Sequence, residues 1–327
     1  MKARAPVFWP LVGLGALVLL NAVFEPGFLK VTLLHGHLFG VPVDILTQGS
    51  RTMLVALGMT LVIATAGVDL SVGSVMAVAG AVSAVLLQGG QGLGLALVGA
   101  VGAGLLAGAV NGTLVARFGV QPIVATLILM VAGRGVAELI VGGQVIIISH
   151  DGFEYLANGF LLGLPFAPLL VVACYVATHL LVRRTALGLF VEAVGDNETA
   201  SRFAGLAAAR IKAFAYVFCG GCAGLAGVLA AANIRAADAY RAGENAELDA
   251  IFAVVVGGTA LSGGRFTVLG SAIGALLIQT LTTTMYNLGV PPAVAPVPKA
   301  LLIIGVTLLQ SEKVGRWLGG LRRRAAA

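Results

Sequence analysis

Ten stretches of this chain are apolar enough to be read as membrane-crossing helices, and this pattern constrains the fold more than any other feature. They are residues 7–24, 49–66, 73–88, 93–116, 122–142, 163–182, 213–233, 249–262, 267–286 and 296–310. A helix needs about 20 apolar residues to cross the hydrocarbon of a bilayer. Only 10% of the residues are charged and 59% are hydrophobic. A soluble domain carries about 25% charge, so this chain has too little polar surface to cover an aqueous fold. The stretches lack the alternation of a transmembrane barrel strand, and 46 glycines suit close helix contacts in lipid. The expected fold is an all-α integral membrane protein of about ten transmembrane helices, in one transmembrane domain over 1–327. Stretch 249–262 is short for a full crossing and has a second reading as a re-entrant segment.

The formal net charge is +6. The basic residues sit at the ends of apolar stretches, which points to membrane topology and not to nucleic acid. With the N-terminus inside and the stretches alternating, the inner segments hold 14 of the 20 Lys and Arg residues. The outer segments hold Lys30, Arg51, Arg235 and Arg241, while Arg134 and Lys299 fall within spans. That bias places both termini in the cytoplasm. Lys2 and Arg4 precede the first stretch with no small-residue cleavage site after it, so an uncleaved first helix is expected. The longest inner loop is 183–212, and the outer loops are 25–48, 143–162 and 234–248. Cys174, Cys219 and Cys222 all lie in apolar stretches, so no disulfide framework is implied.

Polar groups inside such a chain are the candidates for function. Asp69 and Ser71 interrupt two apolar stretches in the segment from Gly58 to Ser74. The Asp69 carboxylate either caps the next helix or serves as a proton or cation relay. In the inner loop, Asp196 or Asn197 caps a two-turn helix through Glu198, Ala200 and Phe203, with Gly205 at its left-handed end. A helix that short is marginal alone and requires a surface, either its own domain or a partner. Arg134 and Glu138 are four residues apart and share a helix face, where they form an ion pair or contact a polar substrate. Glycines recur every four residues at Gly104, Gly108 and Gly112, at Gly220 and Gly224, and at Gly270 and Gly274, the packing spacing of membrane helices. Cys219 and Cys222 read as small packing residues or a redox pair, and His35 and His37 as surface residues or two metal ligands without a third. No phosphate-loop motif and no hydrolase motif occurs.

Several of these motifs together resemble the ribose-type permeases of ATP-binding-cassette (ABC) importers. The matching runs are Gly67-Val68-Asp69-Leu70-Ser71-Val72-Gly73, Asn111-Gly112, and Pro122-Ile123-Val124-Ala125-Thr126-Leu127. Two more are Ala193-Val194-Gly195-Asp196-Asn197-Glu198-Thr199-Ala200 and Val256-Gly257-Gly258-Thr259-Ala260-Leu261-Ser262-Gly263-Gly264. They fall in order over nearly the whole chain, and the outer loop His35–Leu46 is most similar to the galactofuranose permeases of that family. Where the family has Gly-Gly-Asn before its coupling helix, this chain has Val194-Gly195-Asp196-Asn197.

The resemblance implies a permease subunit of the bacterial inner membrane that moves a monosaccharide inward and does no bond chemistry. It implies that loop 183–212 docks a cytosolic ATPase through Asp196, Asn197, Glu198, Ala200, Phe203 and Gly205. It implies a periplasmic sugar-binding protein outside and a second permease, the same or a sister subunit. ATP and Mg are used by the partner, and this chain binds no cofactor. Asn111, Arg134, Glu138 and Gln279 are the expected polar contacts of the pathway. The alternative is an ion- or proton-coupled secondary transporter working through Asp69 or Glu138, and a third class is a passive pore.

Overall fold

The computed structural model describes residues 7–291 and 294–310. Lys2, Arg4, Lys313, Arg316, Arg322, Arg323 and Arg324, which contribute to the inner basic bias, lie outside the described residues. In chain order the elements begin with α1 (Phe8–Phe24), the hairpin β1 (Thr32–Leu34) and β2 (His37–Phe39), α2 (Val41–Ala64), α3 (Val72–Gln88), α4 (Leu93–Ala116) and α5 (Pro122–Val141). There follow β3 (Ile146–Ile147), α6 (Asp151–Asn158), the hairpin β4 (Phe160–Leu161) and β5 (Leu164–Pro165), and α7 (Phe166–Arg184). The remainder is α8 (Leu187–Asp196), α9 (Glu198–Phe203), α10 (Ala208–Ile234), β6 (Ala236–Ala237), α11 (Ala246–Val256), α12 (Val268–Asn287) and α13 (Pro296–Gln310). Among the described residues, α2, α4, α5, α7, α10 and α12 are long and apolar enough to cross a membrane, and α1 and α3 are shorter apolar helices.

Two long helices extend beyond their apolar stretches. Pro42 sits in the first turn of α2, where its missing N–H costs nothing, and the helix then runs through Asp44, Gln48 and Arg51. Those polar residues hid its start, which the apolar run placed at 49. Likewise Arg210 and Lys212 belong to α10, which begins at Ala208 and not near 213. The short stretch 249–262 resolves into an 11-residue helix followed by irregular backbone. At 1.5 Å per residue α11 spans only about half the hydrocarbon. It ends where Gly257 meets Gly258 at φ +94°. The irregular segment that then runs to α12 is anchored to protein, since the Gly264 N–H donates to the Ala64 carbonyl at 2.9 Å. Non-helical backbone at membrane depth is tolerated only when so satisfied.

Helix α10 is the hub, packed by α2, α3 and α4. Small residues let these backbones touch. A Cβ on Gly104 would lie 2.3 Å from the Gly220 carbonyl oxygen, and one on Gly108 the same distance from that of Tyr216. A Cβ on Gly58 would lie 2.7 Å from the Cys219 Cα, so Cys219 and Cys222, both free thiols buried in this contact, act as packing residues. The Gly270 and Gly274 pair performs the same task for α12 against α11, at Gly257 and Ala253. Sparse polar bonds supplement this packing: Asn21 to Thr284 at 2.8 Å, Thr60 to Ser271 at 2.7 Å, and the Tyr175 hydroxyl to the Met53 carbonyl at 2.9 Å. The outer faces of α4 and α5 expose Val98, Leu106, Val131 and Leu139, which is the expected surface toward lipid.

Candidate functional site

Three polar constructions break the apolar bundle. The first lies between α2 and α3. Asp69, 1% exposed, accepts the Ser71 N–H at 2.9 Å and the Ser71 hydroxyl at 2.6 Å. Asn111 on α4 donates to the Ser71 hydroxyl oxygen at 2.8 Å and to Asp69 at 3.3 Å. The Tyr216 hydroxyl donates to the Val68 carbonyl at 3.3 Å. The carboxylate thus shapes the turn before α3 but does not cap that helix as expected: Ser71 is its N-cap residue, with no side-chain cap bond. Asn111 lies wholly buried in this knot and away from the cavity described next.

The second construction is a cavity of about 930 Å³ bounded by α2, α3, α10, α11, α12 and α13. Gln279 lines it, as do Gln48, Arg51, Asp249 and Lys299. Lys299 donates to both carboxylate oxygens of Asp249, at 2.8 and 2.9 Å, tying α13 to α11. The Arg51 guanidinium donates to the Gln48 amide oxygen one turn earlier. One end of the cavity is formed by the segment between β6 and α11, which descends into the bundle until Gly243 meets Gly73 at the start of α3. A Cβ on Gly243 would lie 2.5 Å from the Gly73 carbonyl oxygen, and its φ of +68° also favours glycine.

Arg134 holds that segment. It donates from α5 to the Ala239 carbonyl at 2.8 Å and the Ala242 carbonyl at 2.6 Å. The Arg134–Glu138 ion pair expected from their spacing is not formed; Glu138 is exposed. Helix geometry allowed the pair, but the carbonyls of an irregular segment inside the bundle need donors, and the long guanidinium reaches them. Sequence reasoning missed Gln48, Arg51 and Asp249. Gln48 fell in the outer loop because the start of α2 was read too late, and Arg51 was counted with the outer segments although it lies within the stretch 49–66. Charged residues inside apolar stretches were the signal available for Arg51 and Lys299.

The third construction is the α8–α9 turn, at the far end of α7 from the β4–β5 hairpin. The Asn197 side chain accepts the Ala200 N–H at 2.9 Å and so caps α9. Gly205 follows at φ +84°. Glu198 bridges Arg202 at 2.6 Å and also pairs with Lys212 on α10. Burial would raise the Glu198 carboxyl, but Lys212 and Arg202 hold it below its ordinary value. Asp196 and Ala200 are exposed, and Phe203 is 89% exposed. The apolar side of α9 therefore does not rest on its own domain, and of its residues only Ser201 is buried. Just before it, Gly195 presses on the end of α2. A Cβ there would lie 1.8 Å from the Ala64 carbonyl oxygen, the same atom that Gly264 binds.

Comparison with known proteins accords with this architecture. Residues 41–309 match the family model described as branched-chain amino acid transport system / permease component. The chain is 46% identical over 324 residues to the galactofuranose transporter permease protein YtfT of Escherichia coli (strain K12), covering 99% of this chain and 95% of that one. It is 38% identical to the fructose import permease protein FruF of Bifidobacterium longum (strain NCC 2705), covering 97% and 91%. It is 35% identical to the ribose import permease protein RbsC of Escherichia coli (strain K12), covering 93% of each. No solved structure matches. With the family model spanning most of the chain and relatives aligned end to end, the chain belongs to this family of transport-system permease components.

Proposed function

We propose that the chain is the membrane-spanning permease subunit of an ABC importer and carries a monosaccharide, galactofuranose or a ribose-like sugar, across the bacterial inner membrane. The observation that carries this reading is the end-to-end similarity to permeases named for galactofuranose, fructose and ribose. The family description names branched-chain amino acids. The cavity favours the sugars, because amides, hydroxyls and charged groups along its wall suit a cargo made of hydroxyls better than an aliphatic side chain.

In this reading the chain does no bond chemistry and binds no cofactor, and ATP with Mg serves a partner ATPase. That ATPase docks on α9 through Asp196, Asn197, Glu198, Ala200, Phe203 and Gly205, and the exposed Phe203 supports this. The contact of Gly195 and Gly264 on the Ala64 carbonyl offers a route from α9 to α2 and α12. A sugar-binding protein delivers cargo at the opposite end, and a second permease completes the assembly. The chain crosses ten times with both termini cytoplasmic, α11 and the segment before it together making one crossing. Gln279 contacts cargo in the pathway, Arg134 shapes it, and the Asp69–Ser71–Asn111 knot braces α3 against α4. Such a machine alternates between two packings whose populations the ATPase biases. The ion-coupled alternative has less support, since Asp69 is engaged by Ser71 and Asn111 and Glu138 lies off the cavity.

The test is sugar uptake by liposomes holding the permease, its ATPase and its binding protein. The expected result is uptake that requires ATP on the α9 side and binding protein on the other. Uptake that ignores ATP and follows a proton or sodium gradient overturns the proposal.

A further inference from the structure

A second cavity, of about 400 Å³, lies where three helix ends meet. The last two turns of α7 contribute His179 and Arg183, and α8 contributes Leu189 and Glu192. Leu269 in the first turn of α12 and Val7 just before α1 also line it. It shares no residue with the larger cavity. In the topology proposed above, the start of α1, the end of α7 and the start of α12 are all cytoplasmic. The cavity therefore sits at the level of the inner headgroups.

Two opposite charges line this cavity without meeting. Arg183 and Glu192 form no ion pair with each other, and neither enters any other ion pair among the described residues. A guanidinium forks onto a phosphate with two parallel hydrogen bonds, and a carboxylate accepts from a primary ammonium. His179, four residues before Arg183 on the same helix face, adds a ring N–H donor. The apolar residues of the cavity face outward: Leu189 is 68% exposed and Leu269 61%. Val176 and Val172, three and seven residues before His179 on the same face of α7, are exposed as well. They continue the cavity as an apolar track about 15 Å long, down α7 toward the bilayer centre. A soluble ion makes no use of such a track, whereas an acyl chain buries itself on it.

Resting on that topology, we propose that the cavity binds a phospholipid whose zwitterionic headgroup ends in a primary ammonium, of the phosphatidylethanolamine class. Arg183 and His179 take its phosphate, and Glu192 takes its ammonium. One acyl chain lies along Val176 and Val172. An anionic headgroup without an ammonium sets a second negative charge before Glu192. A trimethylated headgroup has no N–H to donate to that carboxylate. The site thereby distinguishes one phospholipid class from the others, which a general excess of basic residues at the inner face does not.

The experiment is native mass spectrometry of the purified permease in detergent. The protein is titrated with phosphatidylethanolamine, phosphatidylglycerol and phosphatidylcholine of identical acyl chains. The wild type is expected to bind phosphatidylethanolamine about tenfold more tightly than either of the others, the worth of one charge-assisted hydrogen bond. Arg183→Gln should weaken phosphatidylethanolamine about tenfold. Glu192→Gln should erase its advantage over the other two. Arg184→Gln, a change at the exposed neighbour outside the cavity, should bind as the wild type does. Wild-type binding of all three lipids within twofold overturns the proposal, and that comparison needs no variant to fold. Equal losses in Arg183→Gln and Arg184→Gln also overturn it, since they would reduce the effect to general surface charge. So does displacement of the lipid by equimolar soluble glycerophosphoethanolamine, which has the headgroup and no acyl chain. The readout is independent of cargo. An importer that moves no sugar with ATP overturns the permease reading and leaves the measured lipid preference intact, whereas binding that ignores the headgroup overturns this site alone.

Discussion

Arg134 shows how one residue can hold an irregular segment inside a membrane bundle. Its guanidinium serves the carbonyls of Ala239 and Ala242, two acceptors on a segment with no regular partner strand at that point. Removing the donor leaves those acceptors without it in a region where water is scarce. Each buried acceptor left unsatisfied costs about 1–3 kcal/mol. Arg134→Met is therefore expected to destabilise the purified permease by at least that amount in a denaturant or thermal unfolding series. Arg134→Lys, with a compact head group that cannot fork, should recover only part of the loss. Glu138→Gln, a change at an exposed residue outside any ion pair, should stay within about 0.5 kcal/mol. A large effect of Glu138→Gln together with a small one of Arg134→Met would restore the intrahelical ion pair as the true arrangement.

At the scale of elements, α9 departs from the usual amphipathic logic. Its polar side is fastened to the protein, with Glu198 held by Lys212 on α10 and by Arg202, while Phe203 projects outward at 89% exposure. A helix of six residues has little stability of its own. The cap from Asn197 and the ties at Glu198 are therefore what keep it formed with its aromatic displayed. Aromatic residues at the centre of an interface carry much of its binding energy. Phe203→Ala is thus expected to leave permease unfolding within about 0.5 kcal/mol of wild type and to weaken association with the ATPase at least tenfold in a pull-down titration or by light scattering. Unchanged association would remove α9 from the docking surface. Lost permease stability would make Phe203 a packing residue after all.

Over the whole molecule, what the sequence made legible was whatever repeats along a helix. The long apolar runs located the principal helices, and the four-residue glycine spacing marked close-packing faces, which the structure pairs as α4 against α10. The short helix α9 and its Asn197 cap were legible because capping is local chemistry. Of the cavity's polar lining only Gln279 was anticipated, because the rest comes from single residues on α2, α11 and α13 that only the packing brings together. Helices α6 and α8 and the small hairpins escaped because they are short and held by tertiary contacts. The hardest region was 236–267, where periodicity fails: a segment descends to Gly243, α11 runs 11 residues, and irregular backbone continues to α12. Neither half is long enough to cross alone, but joined they reach from the β6 end of α10 to the Ala64 carbonyl beside α8. The expected consequence is a full crossing, which side-specific labelling can check. In a background with Cys174, Cys219 and Cys222 replaced by Ala, the exposed Tyr240 and Ser262 are changed singly to Cys. A membrane-impermeant maleimide should label Tyr240→Cys from the periplasmic face and Ser262→Cys from the cytoplasmic face only. Labelling of both from one face would make 236–267 a re-entrant hairpin, reduce the crossings to nine, and place the chain's two ends on opposite sides of the membrane.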